Sequence, residues 1–462
     1  MITAKAWAGK HYAVYGLARS GLATVHALLA SGARVTAWDE REEARNQLLP
    51  LGEGGSREAA DGGVSAAGEH PSVSFADSSP KGEQLAVVDL NTADLTQFDS
   101  LVVSPGVPLN THPLAARARE AGLEIIGDIE LFARARPELP PHKVVGITGT
   151  NGKSTTTALV HHILKTAGVP TTMGGNIGLP ILAQDPLPEG GVYVLELSSF
   201  QIDLTQSLDC DVAVILNITP DHLERYNYDF HAYAKAKARL FEMQSASHVS
   251  VIDCHNHEGD DIPLDYLSSG SEVRFIQKFF LEQQEDWPSL QGPHNAQNAA
   301  AAQEVCAALG IDSGPIAEAL RTYPGLPHRM ERVREKDGVL FVNDSKATNP
   351  EAAAPALAAY PRIRWIVGGQ AKTKDLGDTA RHLDHVVHAY TIGEAGPMFA
   401  QLLRERGVEV TTSETLENAV KRVAEDSQPG DVVLLSPACA SFDQFRDFEA
   451  RGDAFKALVG DL

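Results

Sequence analysis

The sequence has 462 residues, a hydrophobic fraction of 43% and a formal net charge of −22. That length is enough for about two to four domains, each with its own core. The negative charge argues against nucleic acid or an anionic membrane as a partner, because the average surface would repel either polyanion. No apolar run reaches the ~18 residues of a membrane span, and the first residues lack the apolar core of a signal peptide.

The cysteines lie far apart in the sequence and form no CxxC pair: they are Cys210, Cys254, Cys306 and Cys439. Free thiols in a reducing cytoplasm are the simplest interpretation. We therefore expect a cytoplasmic monomer without membrane insertion. An anionic ligand must then be held by local features, such as helix N-termini, single basic residues or Mg²⁺.

The first segment, residues 1–127, begins with a βαβ unit. The strand HYAVYG leads into the turn GLARSG and a helix, and the strand RVTAWDE follows. Gly16, Ala18 and Gly21 form a G-x-A-x-x-G turn, and Asp39 ends the next strand, where a ribose is held in dinucleotide-binding proteins. Alanine at the second glycine position hinders close approach of a pyrophosphate. Nucleotide binding is therefore favoured over NAD, although an NAD-dependent dehydrogenase is a rival interpretation.

Residues 52–90 are rich in Gly, Ser, Ala and acidic residues. This composition predicts that most of the stretch is a surface insertion with little regular structure. The alternative is a lid over a ligand.

The second segment, residues 128–324, opens with the strand VVGIT, the loop GTNGKST and a helix. The small residues of the loop are Gly149, Thr150, Asn151 and Gly152. They allow backbone N–H groups to face a phosphate, and Lys153 supplies a charge for the outer phosphates. Ser154 or Thr155 supplies a hydroxyl for Mg²⁺. The common phosphate-loop spacing requires a glycine at Ile147, and here it lies one residue earlier. The alternative is a glycine-rich loop without a ligand.

Two polar residues follow buried strands of the second segment. Glu196 ends the strand VYVLEL, and His222 lies in NITPDHLERY after the next strand. Each alone is a weak signal, since such a Glu is often a surface charge and a lone His is usually packed. Beside a nucleotide they form a reasonable Mg²⁺ set, because Mg²⁺ takes few protein ligands. The stretch CHNHEGDD at 254–261 is interpreted as a polar loop.

The third segment, residues 325–462, begins in the hinge-like RTYPGLPHR and alternates strands with helices, which predicts another open α/β sheet. NDSKATN follows one strand and SPACASFDQF follows another, so both lie where an open sheet binds its ligand. Their amide, hydroxyl and ammonium groups suit a carboxylate ligand. The alternative for each stretch is a hydrogen-bonded turn.

Taken together, these motifs resemble a known family. GTNGKST, GGNIG, LELSSFQ, TPDHLERY, GPHNAQNA, LPHR, NDSKATN and SPACASFDQF occur in the order of the ATP-dependent Mur ligases of peptidoglycan synthesis. The last two of these motifs, NDSKATN and SPACASFDQF, resemble those of the members that accept D-glutamate. The resemblance covers essentially the whole chain. It implies an α/β protein of three domains: a Rossmann-like N-terminal domain, a central P-loop-type ATPase domain and a Rossmann-like C-terminal domain.

The resemblance also implies an activity. ATP would phosphorylate the carboxylate of UDP-N-acetylmuramoyl-L-alanine, and the amine of D-glutamate would attack the acyl phosphate. Lys153 and its loop would hold the ATP phosphates, with Ser154 or Thr155 and Glu196 at one Mg²⁺. His222 would serve a second Mg²⁺ together with Lys237, which resembles the family's carbamylated lysine. Lys235 is the neighbouring alternative, and the following ARLFE favours Lys237.

The other binding residues are implied by motif. Those for the nucleotide are His294, Asn295 and Asn298 at the adenine, with Arg329 and Asp344 from the third segment. Asn176 corresponds to the family's contact near the acyl phosphate. The residues for D-glutamate are Lys346, Thr348, Lys372, Ser441 and Phe442. The positions around the uridine diphosphate are Arg19, Ser20, Asp39, Arg41 and Ser104.

Three other functions compete with this interpretation. One is a related amide ligase with a different acceptor, such as a folylpolyglutamate synthase or another Mur ligase. Another is the NAD-dependent dehydrogenase, and the last is a nucleotide-binding module without catalysis. Phosphate release with each candidate amino acid, or nicotinamide absorbance, separates these functions.

Overall fold

The computed structural model describes residues 1–48, 84–253, 271–276 and 281–462. The polar stretch at 254–261 and most of the predicted insertion lie outside these residues. In the described part of the chain no helix combines the length and apolarity needed to cross a membrane.

The first sheet is formed within residues 11–126. Its strands are β1 (His11–Tyr15), β2 (Arg34–Trp38), β3 (Leu85–Val87), β4 (Ser100–Val103) and β5 (Ile125–Ile126). The helices of this region are α1 (Arg19–Ala30), α2 (Glu42–Asn46), α3 (Pro113–Glu120) and α4 (Asp128–Ala135). All pairings are parallel, in the order β3-β2-β1-β4-β5. The carboxyl end of β1, where the order reverses, therefore carries the GLARSG turn.

The second sheet also contains only parallel pairs. Its strands are β6 (His142–Thr148), β7 (Thr171–Gly175), β8 (Gly191–Glu196), β9 (Val212–Ile215), β10 (Val249–Ile252) and β11 (Glu272–Phe275). The helices are α5 (Lys153–Thr166), α6 (Ser199–Asp203), α7 (Phe230–Glu242), α8 (Pro293–Ala308) and α9 (Ser313–Thr322). The strand order is β11-β10-β9-β6-β8-β7. The carboxyl ends of β6, β8 and β9 thus lie side by side.

The third sheet is mixed. Its strands are β12 (Glu331–Lys336), β13 (Val339–Asn343), β14 (Ile363–Gly368), β15 (Val386–Ile392), β16 (Val410–Glu414) and β17 (Val432–Leu435). The helices are α10 (Pro350–Leu357), α11 (Gly396–Glu405), α12 (Leu416–Asp426) and α13 (Phe448–Gly460). The order is β12-β13-β17-β14-β15-β16, with β12 antiparallel to β13. The charged sequence of β12, ERVREK, suits an edge strand. The sequence analysis did not predict this strand because it has no apolar run.

The end of the range 52–90 contains a strand that the sequence analysis did not predict. Within 52–90 the structure forms β3, a strand of three residues that pairs with β2 at the edge of the first sheet. The strand was missed because so short an edge strand has no recognisable alternation of apolar and polar residues.

Buried strands hold the sheets together with helices on both faces. Every residue of β8 and β9 is buried, which explains their continuous apolar sequences. One core cluster runs from Leu28 of α1 through Phe132 of α4 to Tyr193 of β8. The first and second sheets therefore share a core, and α4 is the element between them.

Candidate functional site

The loop between β6 and α5 is shaped by glycines and by an asparagine. Gly152 has a φ of 83°, and a Cβ there would lie 2.3 Å from Oδ1 of Asn298. The backbone N–H groups of Thr150 and Asn151 donate to Oδ1 of Asn217, at 3.1 and 2.8 Å. The sequence analysis expected these N–H groups to face a phosphate, but Asn217 accepts them here. The first turn of α5, whose N–H groups have no partner inside the helix, is what the loop presents to an anion.

Two ammonium groups meet at this loop. Nζ of Lys153 donates to the carbonyl oxygens of Gly149 and Thr150, at 2.9 and 2.7 Å. Nζ of Lys237 donates to the same oxygen of Gly149, at 2.8 Å. Burial lowers the pKa of both lysines, and the charge of Lys153 lowers that of Lys237 further. Within the described ranges neither lysine forms an ion pair, so both Nζ groups are held at the loop by backbone carbonyl oxygens.

Tyr233 is part of this cluster, and the sequence analysis missed it. Its hydroxyl lies 3.0 Å from Oγ1 of Thr150, and its ring lies 4.7 Å from Nζ of Lys237. Tyr233 and Lys237 are four residues apart on α7, so they occupy one face of the helix. That spacing, with a tyrosine one turn before the candidate lysine, was the available signal.

Glu196 lies at the carboxyl end of β8 with one oxygen bound and one open. Nδ2 of Asn176 donates to Oε1 at 2.8 Å, whereas Oε2 is buried and has no partner among the described residues. A buried carboxylate oxygen without a donor is costly unless a cation or a donor binds it. The described residues contain no group of three or more His, Cys, Asp and Glu that could hold a metal. A single open carboxylate oxygen nevertheless fits Mg²⁺, which takes most of its ligands from waters and phosphate.

His222 lies on an exposed turn. Its side chain is 63% exposed, and its ring nitrogens lie 3.6 Å from carboxylate oxygens of Asp221 and Glu224. The ring packs edge-on against Phe200, with centroids 6.1 Å apart. His222 is therefore oriented by residues of its own turn and of α6.

A cleft between the second and third sheets collects the residues predicted for the nucleotide. A cavity of about 890 Å³ is lined by Thr150, Asn151 and His294, together with residues of α10 and beyond. A smaller cavity of about 170 Å³ is lined by Gly152, Thr155, Asn295, Asn298, Arg329, Asp344 and Lys346, among others. Nη2 of Arg329 donates to Oγ of Ser154 at 3.1 Å, which connects the third segment to α5.

The start of α8 forms one wall of the cleft. Burial lowers the pKa of His294 to about 4, so its imidazole is neutral. Nδ2 of Asn298 donates to Oδ1 of Asn295 at 3.1 Å, and the hydroxyl of Thr156 donates to Oδ1 of Asn298 at 3.3 Å. These polar side chains sit among alanines because α8 packs closely against α5.

Asp344 follows β13 at the other wall. Its carboxylate accepts from Oγ of Ser436 at 2.8 Å and from the backbone N–H of Met330 at 3.2 Å. Burial raises the pKa of Asp344 to about 7, although these hydrogen bonds oppose the shift. Asp344 thus connects the end of β13 to the end of β17 and to the hinge.

Phe448 and Arg451 are functional candidates that the sequence analysis missed. Nζ of Lys346 lies 3.7 Å from the centroid of the Phe448 ring. Arg451, 1% exposed, donates to the carbonyl oxygens of Ser345 and Cys439, at 2.9 and 3.1 Å. Arg451 therefore joins NDSKATN to SPACASFDQF. No short-range pattern marked either residue, because both lie on α13 beyond the motifs.

The remaining residues predicted for D-glutamate differ in exposure. Ser441 is buried beside the Ala440 backbone, and Thr348 is half-buried at the start of α10. Lys372 is exposed, and Phe442 is 68% exposed. The aromatic ring beside Lys346 is that of Phe448.

The GLARSG turn lies at the junction of the first and second sheets. Oδ2 of Asp39 accepts the N–H of Leu17 at 2.7 Å, and Oδ1 accepts Nε of Arg41 at 3.1 Å. Burial opposes ionisation of Asp39, but these hydrogen bonds outweigh it and lower its pKa.

Three more residues predicted for the uridine diphosphate surround this turn. Oγ of Ser104 donates to the carbonyl oxygen of Gly16 at 2.7 Å. Nη2 of Arg19 donates to the carbonyl oxygen of Gly178, the last residue of GGNIG, at 2.7 Å. Ser20 and Ser104 both line a small cavity that also contains Asp128. The structure therefore brings Arg19, Ser20, Asp39, Arg41 and Ser104 to one region.

Three α/β sheets, a glycine-rich phosphate loop and a polar cleft between sheets define a multidomain nucleotide-binding protein. Comparison with known proteins narrows this class. The Mur ligase middle domain profile matches residues 147–287, and that of the Mur ligase glutamate ligase domain matches residues 328–439. The UDP-N-acetylmuramoylalanine–D-glutamate ligase of Novosphingobium aromaticivorans is 57% identical over 465 aligned positions, covering 99% of this chain and 96% of the relative.

Solved structures share the fold at lower identity. The UDP-N-acetylmuramate–alanine ligase MurC of Thermotoga maritima superimposes with a TM-score of 0.56 at 18% identity, covering 98% of this chain and 99% of the other. The MurF ligase of Thermotoga maritima, solved in complex with ADP, has a TM-score of 0.54 at 18% identity and covers 79% of this chain and 90% of the other. The chain belongs to the Mur ligase family, in the group of the UDP-N-acetylmuramoylalanine–D-glutamate ligases.

Proposed function

We propose that this chain is the ATP-dependent ligase that adds D-glutamate to UDP-N-acetylmuramoyl-L-alanine in peptidoglycan synthesis. The observation that carries the proposal is the convergence of Lys153 and Lys237, buried and unpaired within the described residues, on the phosphate loop of a cleft that also contains Lys346. The name of the Novosphingobium relative, at 57% identity over nearly the full length, supports the same substrates.

In this proposal each of the three domains binds one substrate. Residues 1–127 bind the UDP-linked precursor, residues 128–324 bind ATP, and residues 325–462 bind D-glutamate. The separation of the three sheets along the chain supports this division. The proposed ATP contacts of the central domain are those of the loop (Gly149, Thr150, Asn151, Gly152, Lys153, Ser154, Thr155) and those at the adenine (His294, Asn295, Asn298), with Arg329 and Asp344 facing from the third domain.

Mg²⁺ fits the residues present at two places. Glu196, with its open Oε2, and the hydroxyl of Ser154 or Thr155 would hold one ion. His222 and a carbamylated Lys237 would hold another. Mg²⁺ when bound neutralises charge on phosphate oxygens. The engagement of Ser154 by Arg329 favours Thr155 as the hydroxyl ligand.

Carbamylation of Lys237 has a physical basis in this proposal. Burial and Lys153 lower the pKa of Lys237, and a neutral amine is the form that adds CO₂. The product is an anion, which suits the pocket beside Lys153 better than a second ammonium does. Carbon-13 NMR of enzyme equilibrated with labelled bicarbonate should give a carbamate signal, absent in Lys237→Met and retained in Lys235→Met. A wild-type spectrum without that signal contradicts the assignment.

The chain's residues act on the reaction mainly by placement and charge. The γ-phosphoryl group of ATP passes to the precursor carboxylate, giving an acyl phosphate and ADP. The amine of D-glutamate then attacks the acyl carbon, and phosphate leaves with the formation of the amide. Lys153 and the α5 N-terminus neutralise charge on the transferred group, and Asn176 holds Glu196 in position. Alignment of the three substrates can supply about 7–11 kcal/mol of the barrier.

The two outer domains hold the acceptor and the precursor. The residues proposed to bind D-glutamate are Lys346, Thr348, Lys372, Ser441 and Phe442, with the Phe448 ring beside Lys346. Arg19, Ser20, Asp39, Arg41 and Ser104 would surround the uridine diphosphate. We further propose that the protein is a cytoplasmic monomer. The buried free thiols of Cys210, Cys306 and Cys439 support a reducing compartment.

One assay separates this function from its alternatives. Phosphate release is measured with ATP, Mg²⁺ and the UDP-muramoyl-alanine precursor, adding one amino acid at a time. We expect release with D-glutamate and none with L-alanine, L-glutamate or meso-diaminopimelate. Release with meso-diaminopimelate or L-alanine but not with D-glutamate overturns the proposal, and nicotinamide reduction by the same enzyme would point to a dehydrogenase.

A further inference from the structure

Arg225 connects the first and second domains through its side chain. Its guanidinium donates to the carbonyl oxygens of Val107 and Pro105, at 2.8 and 3.0 Å. Its Cζ lies 4.3 Å from the centroid of the Phe200 ring. The side chain is thus held by two charge-assisted hydrogen bonds on one side and an aromatic face on the other.

The two sides of this contact belong to different parts of the proposed active site. Pro105 and Val107 form the turn after β4, directly beyond Ser104, which donates to the GLARSG turn. Phe200 lies on α6, which begins three residues after Glu196. Arg225 therefore lies between the turn proposed for the uridine diphosphate and the helix that follows Glu196.

The segment that carries Arg225 has an unusual backbone. His222, Asn227 and Tyr228 have φ values of 49°, 54° and 63°, and none of them is glycine. Such conformations cost about 1–3 kcal/mol each and persist only where surrounding contacts hold them. The geometry of His222 therefore depends on what fixes residues 222–228 from outside.

Those fixing contacts come from both domains. Nδ2 of Asn110 donates to the carbonyl oxygen of Glu224 at 3.0 Å, so the first domain holds the segment at a second point. The hydroxyl of Tyr226 donates to Asp203 of α6 at 2.8 Å. Arg225 is the residue of this segment whose side chain contacts both the first domain and α6.

We propose that Arg225 is a positioning residue that couples binding of the UDP-linked precursor to the placement of His222. Precursor bound at Ser104 fixes the turn at Pro105 and Val107, and Arg225 transmits that order to residues 222–228. By linkage, the placed His222 segment strengthens precursor binding to the same extent. The inference rests on the proposed function, since it takes the GLARSG region as the precursor site.

Hydrogen exchange tests the coupling without turnover. Amides of residues 222–228 are followed with and without precursor, in the absence of ATP and Mg²⁺. We expect precursor to slow their exchange about tenfold in the wild type, little in Arg225→Ala, and to an intermediate extent in Arg225→Lys. Arg321→Ala is the matched control, because among the described residues Arg321 forms its ion pair with Glu318 of its own helix. Equal protection in wild type and Arg225→Ala overturns the inference.

Kinetics then separate positioning from mere stability. We expect Arg225→Ala to lower kcat and raise the KM for precursor, with kcat/KM about 10–100-fold lower and the KM for ATP within about twofold. In a His222→Ala background, Arg225→Ala should lower kcat/KM for precursor less than about threefold, because the residue that Arg225 positions is absent. Full additivity of the two losses overturns the coupling. An unimpaired His222→Ala, by contrast, would overturn the proposed role of His222 itself.

Asn110→Ala keeps the test decisive if Arg225→Ala lowers Tm strongly. It removes only the second contact from the first domain, so the fold should persist. We expect the same pattern at smaller size, a few-fold loss in kcat/KM for precursor with an unchanged KM for ATP. A loss of stability in both variants without this kinetic pattern would make the contact structural and overturn the inference.

Discussion

The GLARSG turn and the GTNGKST loop occupy equivalent places, each between a parallel strand and a helix, yet different charged side chains form hydrogen bonds to their backbones. Carboxylates flank the first: Asp39 accepts the N–H of Leu17, and buried Asp128 lines the cavity beneath. Lysine side chains flank the second, where Lys153 and Lys237 donate to one carbonyl oxygen. The first suits the hydroxyls of a nucleotide sugar, whereas the second suits the phosphates whose transfer requires charge neutralisation.

The largest effect should come from removing the charge of the central loop. We expect Lys153→Ala to lower kcat/KM for ATP by about 10²–10³-fold, because an oriented charge at a transferring group has that value. Precursor binding measured by calorimetry without ATP should change little. Lys165→Ala, an exposed lysine in the last turn of the same helix, is the control. If Lys153→Ala keeps activity within tenfold of wild type, the proposed distinction between the two turns is wrong.

Glycine replacements test whether the central loop tolerates a side chain. Gly152→Ala combines a φ of 83° with a Cβ that would lie 2.3 Å from Oδ1 of Asn298. We expect about 1–3 kcal/mol of destabilisation and a raised KM for ATP. Gly168→Ala is the control, since its φ is 75° and no atom lies within 4 Å of an added Cβ. Urea unfolding should show a cost for both variants, whereas only Gly152→Ala should alter nucleotide binding.

The carboxylate of the first turn should affect the other substrate. Asp39→Asn removes the charge that accepts from Leu17 and Arg41. We expect the KM for the UDP-linked precursor to rise about tenfold, the value of a charged hydrogen bond, with the KM for ATP unchanged. Asp94→Asn, which weakens only an exposed helix cap, serves as control. If the KM for ATP rises instead, the assignment of the UDP-linked precursor to the GLARSG turn is wrong.

The last predicted effect is on stability rather than on substrate binding. Burial raises the pKa of Asp128 to about 6 from its usual 3.8. The folded chain then binds the proton more tightly than the unfolded chain does, so the free energy of unfolding falls as pH rises from about 4 to about 6. The full cost, about 3 kcal/mol, is present above that range.

Asp128→Asn isolates this contribution. We expect the variant to be more stable than wild type at about pH 8, with the advantage shrinking towards about pH 4, where the carboxyl is protonated in both states. Urea unfolding at several pH values measures the difference. Asp185→Asn, at an exposed carboxylate, is the control. An advantage independent of pH would show that burial of the charge is not its cause.

The amino-acid sequence alone determined the features that depend on residues close together in the chain. Apolar runs such as VYVLEL predicted buried parallel strands, and glycines beside Lys153 predicted the loop before α5; the fold class and the family were confirmed. The antiparallel strand β12 and the edge strand β3 were missed, since neither has an apolar pattern. The domain limits and the assigned site residues stay predictions.

Only the tertiary structure decided which distant groups meet. Nothing near Asn217 in sequence indicated that it accepts the loop's N–H groups, and nothing near Phe448 indicated its contact with Lys346. The contact of Arg225 with Pro105 joins residues 120 positions apart. Such contacts depend on how whole sheets pack through a shared core, a sum of many small interactions that a local pattern of residue types does not encode.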